Sequence, residues 1–302
     1  MDSGVVRQVQ QVRQFNRTVT QRVGALNDAF LARGRSLGQA RLLWEIGPDG
    51  ASVRELRSRL DLDSGYLSRM LRSLEADGLI AVSVSSVDAR ARTVTLTAAG
   101  RTERATLDRL SDEAAASILA PLSATQRTRL EAAMAQVEQL LTASMVQVAT
   151  VGPREPAARF CLNAYFAELA ERFETGFDPA SSISAEDSEL TPPAGLLLVA
   201  TLHGAPVGCG ALKFHPGAAA EIKRMWISPA VRRLGLGRRM LADLEDRART
   251  AGAPMTRLET NQALTEAIAL YRACGYREVP AFNNEPYAHH WFEKAFAATP
   301  EQ

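Results

Sequence analysis

Apolar positions in the first half of the chain recur mainly at helical spacing. From Val5 to Arg33, the residues Val9, Val12, Val19, Val23, Leu26 and Phe30 keep that period and predict one long helix. Ser36 is placed to cap a second helix carrying Leu42, Leu43 and Ile46, which Gly47-Pro48-Asp49-Gly50 stops. Ser52 caps a third, short helix with Val53, Leu56 and Leu60 inward. Asp63 or Ser64 caps a fourth, with Leu67, Met70, Leu71 and Leu74 inward and Gly78 near its end. After Gly78 the period changes to two. Val82 and Val84 alternate with serines, Val94 and Leu96 alternate with threonines, and the polar run Ser85–Arg90 between them reads as a hairpin tip. Thr97 caps a further helix, and helical pattern continues to about Leu141, with Pro121 opening its last segment or lying in the turn before it.

Gly152-Pro153-Arg154-Glu155-Pro156 interrupts this pattern, and Val146–Val151 before it is either a linker or a first strand. The domain boundary is therefore placed near residue 145, giving domains 1–144 and 145–302. The second half alternates: a helix from Ala157 to Phe173, a polar loop to Pro193, then strands at 196–202, 206–214 and 221–227. A helix at 235–251, a strand at 255–260, a helix at 264–274 and strands at 276–282 and 290–295 follow. The expected architecture is a mainly α winged helix-turn-helix domain followed by an α+β domain with a mixed sheet.

A chain of 302 residues suits two domains. No stretch approaches the roughly 18–20 unbroken apolar residues of a membrane span, and the polar start argues against a secretion signal. Cys161, Cys209 and Cys274 are odd in number and widely spaced, so no disulfide framework is implied and a reduced, cytoplasmic protein is expected. The net charge of +1 conceals a mild asymmetry. Residues 1–150 hold 19 arginines, no lysine and 16 acids, near +3, which leaves the rest near −2. Bulk charge of that size does not itself indicate nucleic-acid binding.

Placement does. With Leu67, Met70, Leu71 and Leu74 inward, the fourth helix leaves Ser64, Gly65, Tyr66, Ser68, Arg69 and Arg72 outward. Small and hydroxylated residues at a helix N-terminus can approach base edges, and arginine and serine can hold phosphates. Arg90 at the hairpin tip could enter a minor groove, oriented by Asp88. The run "LRSRLDLDSGYLSRMLRSLEADGLI" at 56–80, "DAR" at 88–90 and "VTLTAAG" at 94–100 resemble the MarR family of transcriptional regulators over about 135 residues. The resemblance implies binding of double-stranded DNA with Arg90 as a contact, and a homodimer formed through the first and last helices, Val5–Arg33 and 101–141. Val82 stands where members often carry an arginine, which implies a changed or weaker contact there.

In the second half, Arg232-Arg233-Leu234-Gly235-Leu236-Gly237-Arg238 follows a strand and a Ser-Pro break and opens a helix. Glycines there let successive backbone N–H groups converge, and the helix dipole adds positive potential, so the turn can cradle a pyrophosphate. It is not a Walker loop and lacks the third glycine of a dinucleotide fingerprint. Together with "EIKRMWISPAVRRLGLGRRML" at 221–241, "RLETN" at 257–261, "AIALYRACGYREV" at 267–279, "PYAHHWFEK" at 286–294 and "YFAELAERFETGFDP" at 165–179, it resembles the GNAT superfamily over nearly the whole second half. The resemblance implies acetyl-CoA as cosubstrate and an amine acceptor. It implies Glu221 as general base, backbone N–H groups at Met225, Trp226 and Ile227 for the thioester carbonyl, Tyr271 as proton donor to the leaving thiolate and Asn261 near the pantetheine arm. By the same resemblance Tyr165, Glu168, Arg172, Phe173 and Phe177 wall the acceptor pocket. Their mix of aromatic and charged groups suits a small amphiphilic amine, such as an amino acid or an amine-bearing antibiotic, at least as well as a protein lysine. His289 and His290 form no ligand spacing with a cysteine or an acid cluster, and no metal site is expected.

These features lead to a dimeric transcriptional regulator that also transfers acetyl from acetyl-CoA to an amine. Two rivals stay open: a sensor whose second domain binds acetyl-CoA or a small ligand without turnover, and an acetyltransferase whose first domain is only a dimerisation scaffold.

Overall fold

A computed structural model describes residues 2–26, 31, 33–84, 92–183 and 185–296. The chain divides into two compact units, Met1–Ala135 and Gln136–Gln302. The division falls within a helix, ahead of the boundary expected near residue 145.

In the first unit, α1 spans Ser3–Arg22, α2 Leu37–Ile46, α3 Val53–Leu60, α4 Ser64–Ala76 and α5 Ala98–Leu119, with α6 starting at Ala124 and running to Met145. The strands β1 (Ala51–Ser52), β2 (Ile80–Val84) and β3 (Arg92–Leu96) pair antiparallel in the order β1-β3-β2. The expected caps form. Ser36 and Gln39 make a reciprocal capping box at α2, Ser52 and Glu55 make another at α3, and the Asp63 carboxylate accepts from the Tyr66 N–H at α4. Caps of this kind contribute about 1 kcal/mol each. The core is built from Leu42, Leu43, Ile46, Leu56, Leu67, Leu71, Leu74, Ile80 and Val94.

The long first helix is shorter than its apolar period suggests. Gly24 adopts φ 69°, the Ala25 N–H donates to the Thr20 carbonyl, and the Gly24 N–H donates to that of Gln21. This is a Schellman end, for which a glycine in the left-handed region is the usual requirement. Phe30, at the far end of the expected helix, lies outside the described residues. Nothing on α1 is buried, and Val5, Val6, Val9, Val12, Phe15 and Val19 are exposed. The hairpin tip with Asp88 and Arg90 also lies outside the described residues.

In the second unit, β4 (Gln147–Val151) is a strand, as one of the two readings of that stretch expected. Then follow α7 (Pro156–Arg172), β5 (Gly195–Leu202), β6 (Ala205–Lys213), β7 (Ala220–Ile227), a single 3-10 turn at Pro229–Val231 and α8 (Leu236–Thr250). The elements β8 (Met255–Thr260), α9 (Thr265–Ala273), β9 (Arg277–Val279) and β10 (His290–Ala295) complete it. Among the described residues the sheet order is β4-β5-β6-β7-β8-β10-β9, antiparallel except for the parallel pair β7–β8. One face packs Leu198, Leu212, Ile222, Leu258 and Phe292 with Met240, Leu241 and Leu244 of α8. The other packs Leu197, Val199, Cys209 and Trp226 with Ala158, Cys161 and Leu162 of α7. No helix among the described residues is long and apolar enough to cross a membrane.

The strand β7 is irregular along both of its edges. Its ladder with β8 holds only two residue pairs, Ala220–Thr256 and Glu221–Arg257, so beyond Glu221 the two parallel strands are unpaired. Its ladder with β6 slips between Cys209 and Ala211, so Arg224 and Met225 both stand opposite Gly210. The bulge begins one residue before Met225–Ile227, the backbone expected to face the thioester carbonyl. A Cβ at Gly210 would come within 2.8 Å of the Met225 sulfur and 2.9 Å of Leu244 Cδ1, so a side chain there would require Met225 and Leu244 to shift.

Candidate active site

Two cavities open beside the unpaired part of β7. The larger, of ≈ 770 Å³, runs along the turn before α8, with Ile227, Arg232, Gly235, Gly237 and Arg238 in its wall. The smaller, of ≈ 90 Å³, lies between β7, β8 and the loop segments, with Arg224, Glu259, Phe177, Glu285 and Tyr287 in its wall. Tyr165, Leu169, Met225, Leu264, Ala267 and Tyr271 line both.

The turn in the wall of the larger cavity leaves backbone donors without a cap. Gly235 caps α8 at φ 75°, ψ 6°, and no side chain supplies a capping hydrogen bond. The first N–H groups of a helix have no intrahelical acceptor, so those following Gly235 are free to converge on phosphate oxygens at the positive end of the dipole. Arg233 also takes a positive φ of 69°, and the exposed Arg233 and Arg238 add charge. Arg232 is committed elsewhere. Its guanidinium reaches Glu168 at 2.6 Å and donates to the Ile227 carbonyl at 3.0 Å, which braces the turn on the end of β7. Glu168 also accepts from Trp226 Nε1 at 2.9 Å and from Arg172 at 3.2 Å. Burial opposes its charge, but the Arg232 and Trp226 donors prevail and hold the carboxyl below the usual carboxylate range. Thus Glu168 and Arg172 sit on the larger cavity, whereas Phe173 and Phe177 line the smaller.

The two cavities meet at a pair of phenols. Burial pushes Tyr165 up to about 12 and Tyr271 higher still, so both are neutral donors across the working pH range. Tyr271 packs its ring against Tyr276 and Phe292 at 5.9 and 6.0 Å, and its hydroxyl has no hydrogen-bond partner among the described residues.

Glu221 lines neither cavity. Its carboxylate is held by Arg257 at 2.6 Å, with Lys223 Nζ at 3.6 Å and His215 Nε2 at 3.3 Å. Burial raises its carboxyl, but Arg257, Lys223 and His215 outweigh this and leave it below the usual range. Because the folded value is lowered, the group stabilises the fold fully above the ordinary carboxylate range, and that contribution is lost as pH falls through the lowered value. Lys223 links Glu221 to Glu259, with which it makes a short ion pair. Glu259 does face the smaller cavity, beside Asn283 Nδ2 at 3.4 Å. Glu285, also in that wall, accepts from Ser182 Oγ, the Ile183 N–H and the Tyr287 N–H at 2.9, 2.7 and 3.2 Å. Asn261 lines the smaller cavity with both ends engaged, donating to the Tyr287 carbonyl at 2.7 Å and accepting from the Ala263 N–H at 2.8 Å. Sequence reasoning alone singles out the asparagine of "RLETN" and misses its glutamate. It misses Arg224 as well, the second of two successive charges, Lys223-Arg224, inside a mostly buried strand.

The acetyltransferase (GNAT) family matches residues 162–276 and the MarR family matches residues 33–91. The chain is 38% identical over 122 residues to an IAA acetyltransferase of Azospirillum brasilense, across 40% of this chain and 78% of that protein. The chain belongs to the GNAT acetyltransferase family. This GNAT protein is an N-acetyltransferase with a MarR-family region in its first unit. Solved structures similar to it include a GNAT-family acetyltransferase of Staphylococcus aureus, at 15% identity and TM-score 0.43 over 50% of this chain and 98% of that one. Another is a GNAT-family acetyltransferase of Elizabethkingia anophelis with acetyl-CoA bound, at 16% identity and TM-score 0.38 over 50% and 99%.

On the MarR-family side, α4 buries Leu67, Met70, Leu71 and Leu74 and exposes Ser64, Gly65, Tyr66, Arg69 and Arg72, with Ser68 half-buried. Arg33, Arg35, Arg41 and Arg59 are spent on Glu103, Asp77 and Glu45. Arg69 instead lies over the Tyr66 ring at 5.8 Å, and Arg72 folds back to the Ser68 carbonyl at 3.3 Å. Neither has an acidic partner among the described residues.

Proposed function

We propose that the protein is a bifunctional regulator that binds double-stranded DNA and acetylates the amine of a small molecule. The observation that carries the enzymatic half is the junction of the two cavities at Tyr165, Met225 and Tyr271. A groove with an uncapped helix end meets there a small pocket rimmed by carboxylates and aromatic rings. The N–H groups after Gly235, with Arg233 and Arg238, hold the pyrophosphate of acetyl-CoA, which supplies the acetyl group as a thioester. Backbone N–H groups at Met225–Ile227, freed by the parting of β7 from β8, donate to the carbonyl oxygen. Tyr271 donates its hydroxyl proton to the departing sulfur. A carboxylate facing the small pocket takes the proton of the attacking amine, directly or through water, and Glu259, which lines that pocket, is better placed for this than Glu221, which lines neither cavity. A screen of amines for release of free CoA thiol tests the activity, and an absence of release with every amine leaves the sensor reading in its place.

Glu259→Gln should lower kcat/KM roughly 10²-fold at neutral pH, a typical general-base effect. The loss should shrink at high pH, where free amine is abundant. Glu221→Gln should cost less at every pH. The reverse order in a pH series of initial rates would return the base to Glu221.

For the DNA half, the exposed N-terminal face of α4, whose Arg69 and Arg72 have no acidic partner among the described residues, supports docking in a major groove, and the apolar face of α1 supports a homodimer. Arg72→Ala should weaken binding to all sequences alike and flatten the slope of log K against log salt by about one, as loss of one phosphate contact does. Gel-shift titrations at several salt concentrations, on the DNA upstream of the coding region, read both effects. Equal binding of that DNA and random duplex, with Arg72→Ala unchanged, would favour the scaffold reading.

A further inference from the structure

Arg224 is the residue that the β7 bulge inserts. In a regular strand, Ile222, Arg224 and Trp226 would share the face packed on α8. Ile222, Met225 and Ile227 take that face instead, and Trp226 packs on the α7 side. The extra residue reverses the alternation and carries the guanidinium away from the apolar core of α8 toward the aromatic rings of α7. It lies 4.6 Å over the Phe166 ring and 5.8 Å over that of Tyr165. The backbone holds this placement at φ 56°, a region that costs an L-residue roughly 1–2 kcal/mol. Strain kept at one residue in the wall of a pocket is the kind found where a side chain must be aimed.

The charges around it are already matched. Lys223 is paired with Glu259 and Glu221. Glu285 is satisfied by two backbone N–H groups and the Ser182 hydroxyl. The Arg224 guanidinium stands in the wall of the small cavity with no carboxylate or hydrogen-bond acceptor among the described residues. A guanidinium that is stacked on aromatic rings keeps its edge donors free, and those donors match a carboxylate in bidentate geometry. Beside the polar Ser182, Thr260 and Asn261, the wall holds an aromatic cluster, with Phe173, Phe177 and Tyr287 in mutual contact at 4.9–5.9 Å.

We infer that Arg224 is a binding residue for a carboxylate on the acceptor, so that the acceptor is an amino acid-like molecule: an amine and a carboxylate on a compact apolar body. This rests on the acetyl-transfer reading and narrows its acceptor.

The test compares alanine, leucine, methionine and phenylalanine with their α-carboxamides, which keep the amine and lose the negative charge. CoA thiol release gives kcat/KM for wild type, Arg224→Gly and Arg224→Lys. Glycine suits the left-handed backbone at 224, so Arg224→Gly removes the guanidinium without adding strain. Calorimetry with unacetylated CoA present measures binding of the same compounds without turnover. Wild type should favour an acid over its amide by roughly 10–100-fold, the range of a charge-assisted pair. Arg224→Gly should erase that preference while acetyl-CoA affinity is kept, and Arg224→Lys should restore part of it. Equal treatment of acid and amide by wild type, or a preference that survives in Arg224→Gly, would overturn the assignment. If none of these compounds is turned over, calorimetry alone decides: acids bound over amides only when Arg224 is present sustains the inference, and no difference ends it.

Discussion

Tyr271→Phe is expected to lower kcat roughly 10²–10³-fold, within the usual span of a general acid, and to leave acetyl-CoA affinity unchanged. The change removes one oxygen. The ring remains packed against Tyr276 and Phe292, so the wall shared by the two cavities keeps its shape. Burial holds the phenol above its ordinary value, and the donor is protonated throughout the neutral range. The deficit should therefore be flat with pH from the acid side to neutrality, unlike that of Glu259→Gln. Single-turnover rates with saturating acetyl-CoA make the measurement. Tyr165 is the other phenol at the junction and is also raised, to about 12. Full activity in Tyr271→Phe with a large loss in Tyr165→Phe would move the donor to Tyr165.

Gly235→Val should reduce acetyl-CoA affinity roughly 10²-fold or more. Space is not the reason, since a Cβ at 235 would meet no atom within 4 Å. The reason is φ 75°, which a β-branched residue resists most strongly. Relief of that strain turns the N–H groups away from the pyrophosphate, and hydrogen bonds to a charged group contribute about 1.5–3 kcal/mol each. Gly237 is a glycine for another cause. It lies inside α8, and its Cβ would come 3.2 Å from Leu270 Cδ2, the end of a flexible side chain. Gly237→Ala should therefore bind nearly as well as wild type, with the fold checked by circular dichroism. Wild-type calorimetric affinity in a folded Gly235→Val would remove the α8 turn from the binding site.

Much of this is legible along the chain because it is local. Capping boxes depend on residues three apart, so Ser36 and Ser52 announce their helices. The short apolar runs of β5 and β6 and the Gly-x-Gly turn that opens α8 are equally short-range. Tyr271 is singled out only by the resemblance of its segment to the GNAT superfamily. The apolar period overstates the first helix because it continues past Gly24, and a period does not sense the left-handed residue that ends a helix.

The sequence by itself determined the two-part organisation, the order of elements, and the residues at the turn before α8 and on the outer face of α4, since each is written in periods and turn chemistry a few residues wide. Only the tertiary structure decided which charges face a pocket. Glu221 and Glu259 are 38 positions apart in the chain, and their roles separate because β7 pairs with β8 for just two residues, bringing Arg257 onto one carboxylate and Lys223 onto the other. Arg224 likewise gains its direction from a slipped register against Gly210 on the neighbouring strand. Pairing partners and register are set by long-range packing of the whole sheet, and a bulge that reverses side-chain alternation has its cause in a strand the residue itself does not belong to.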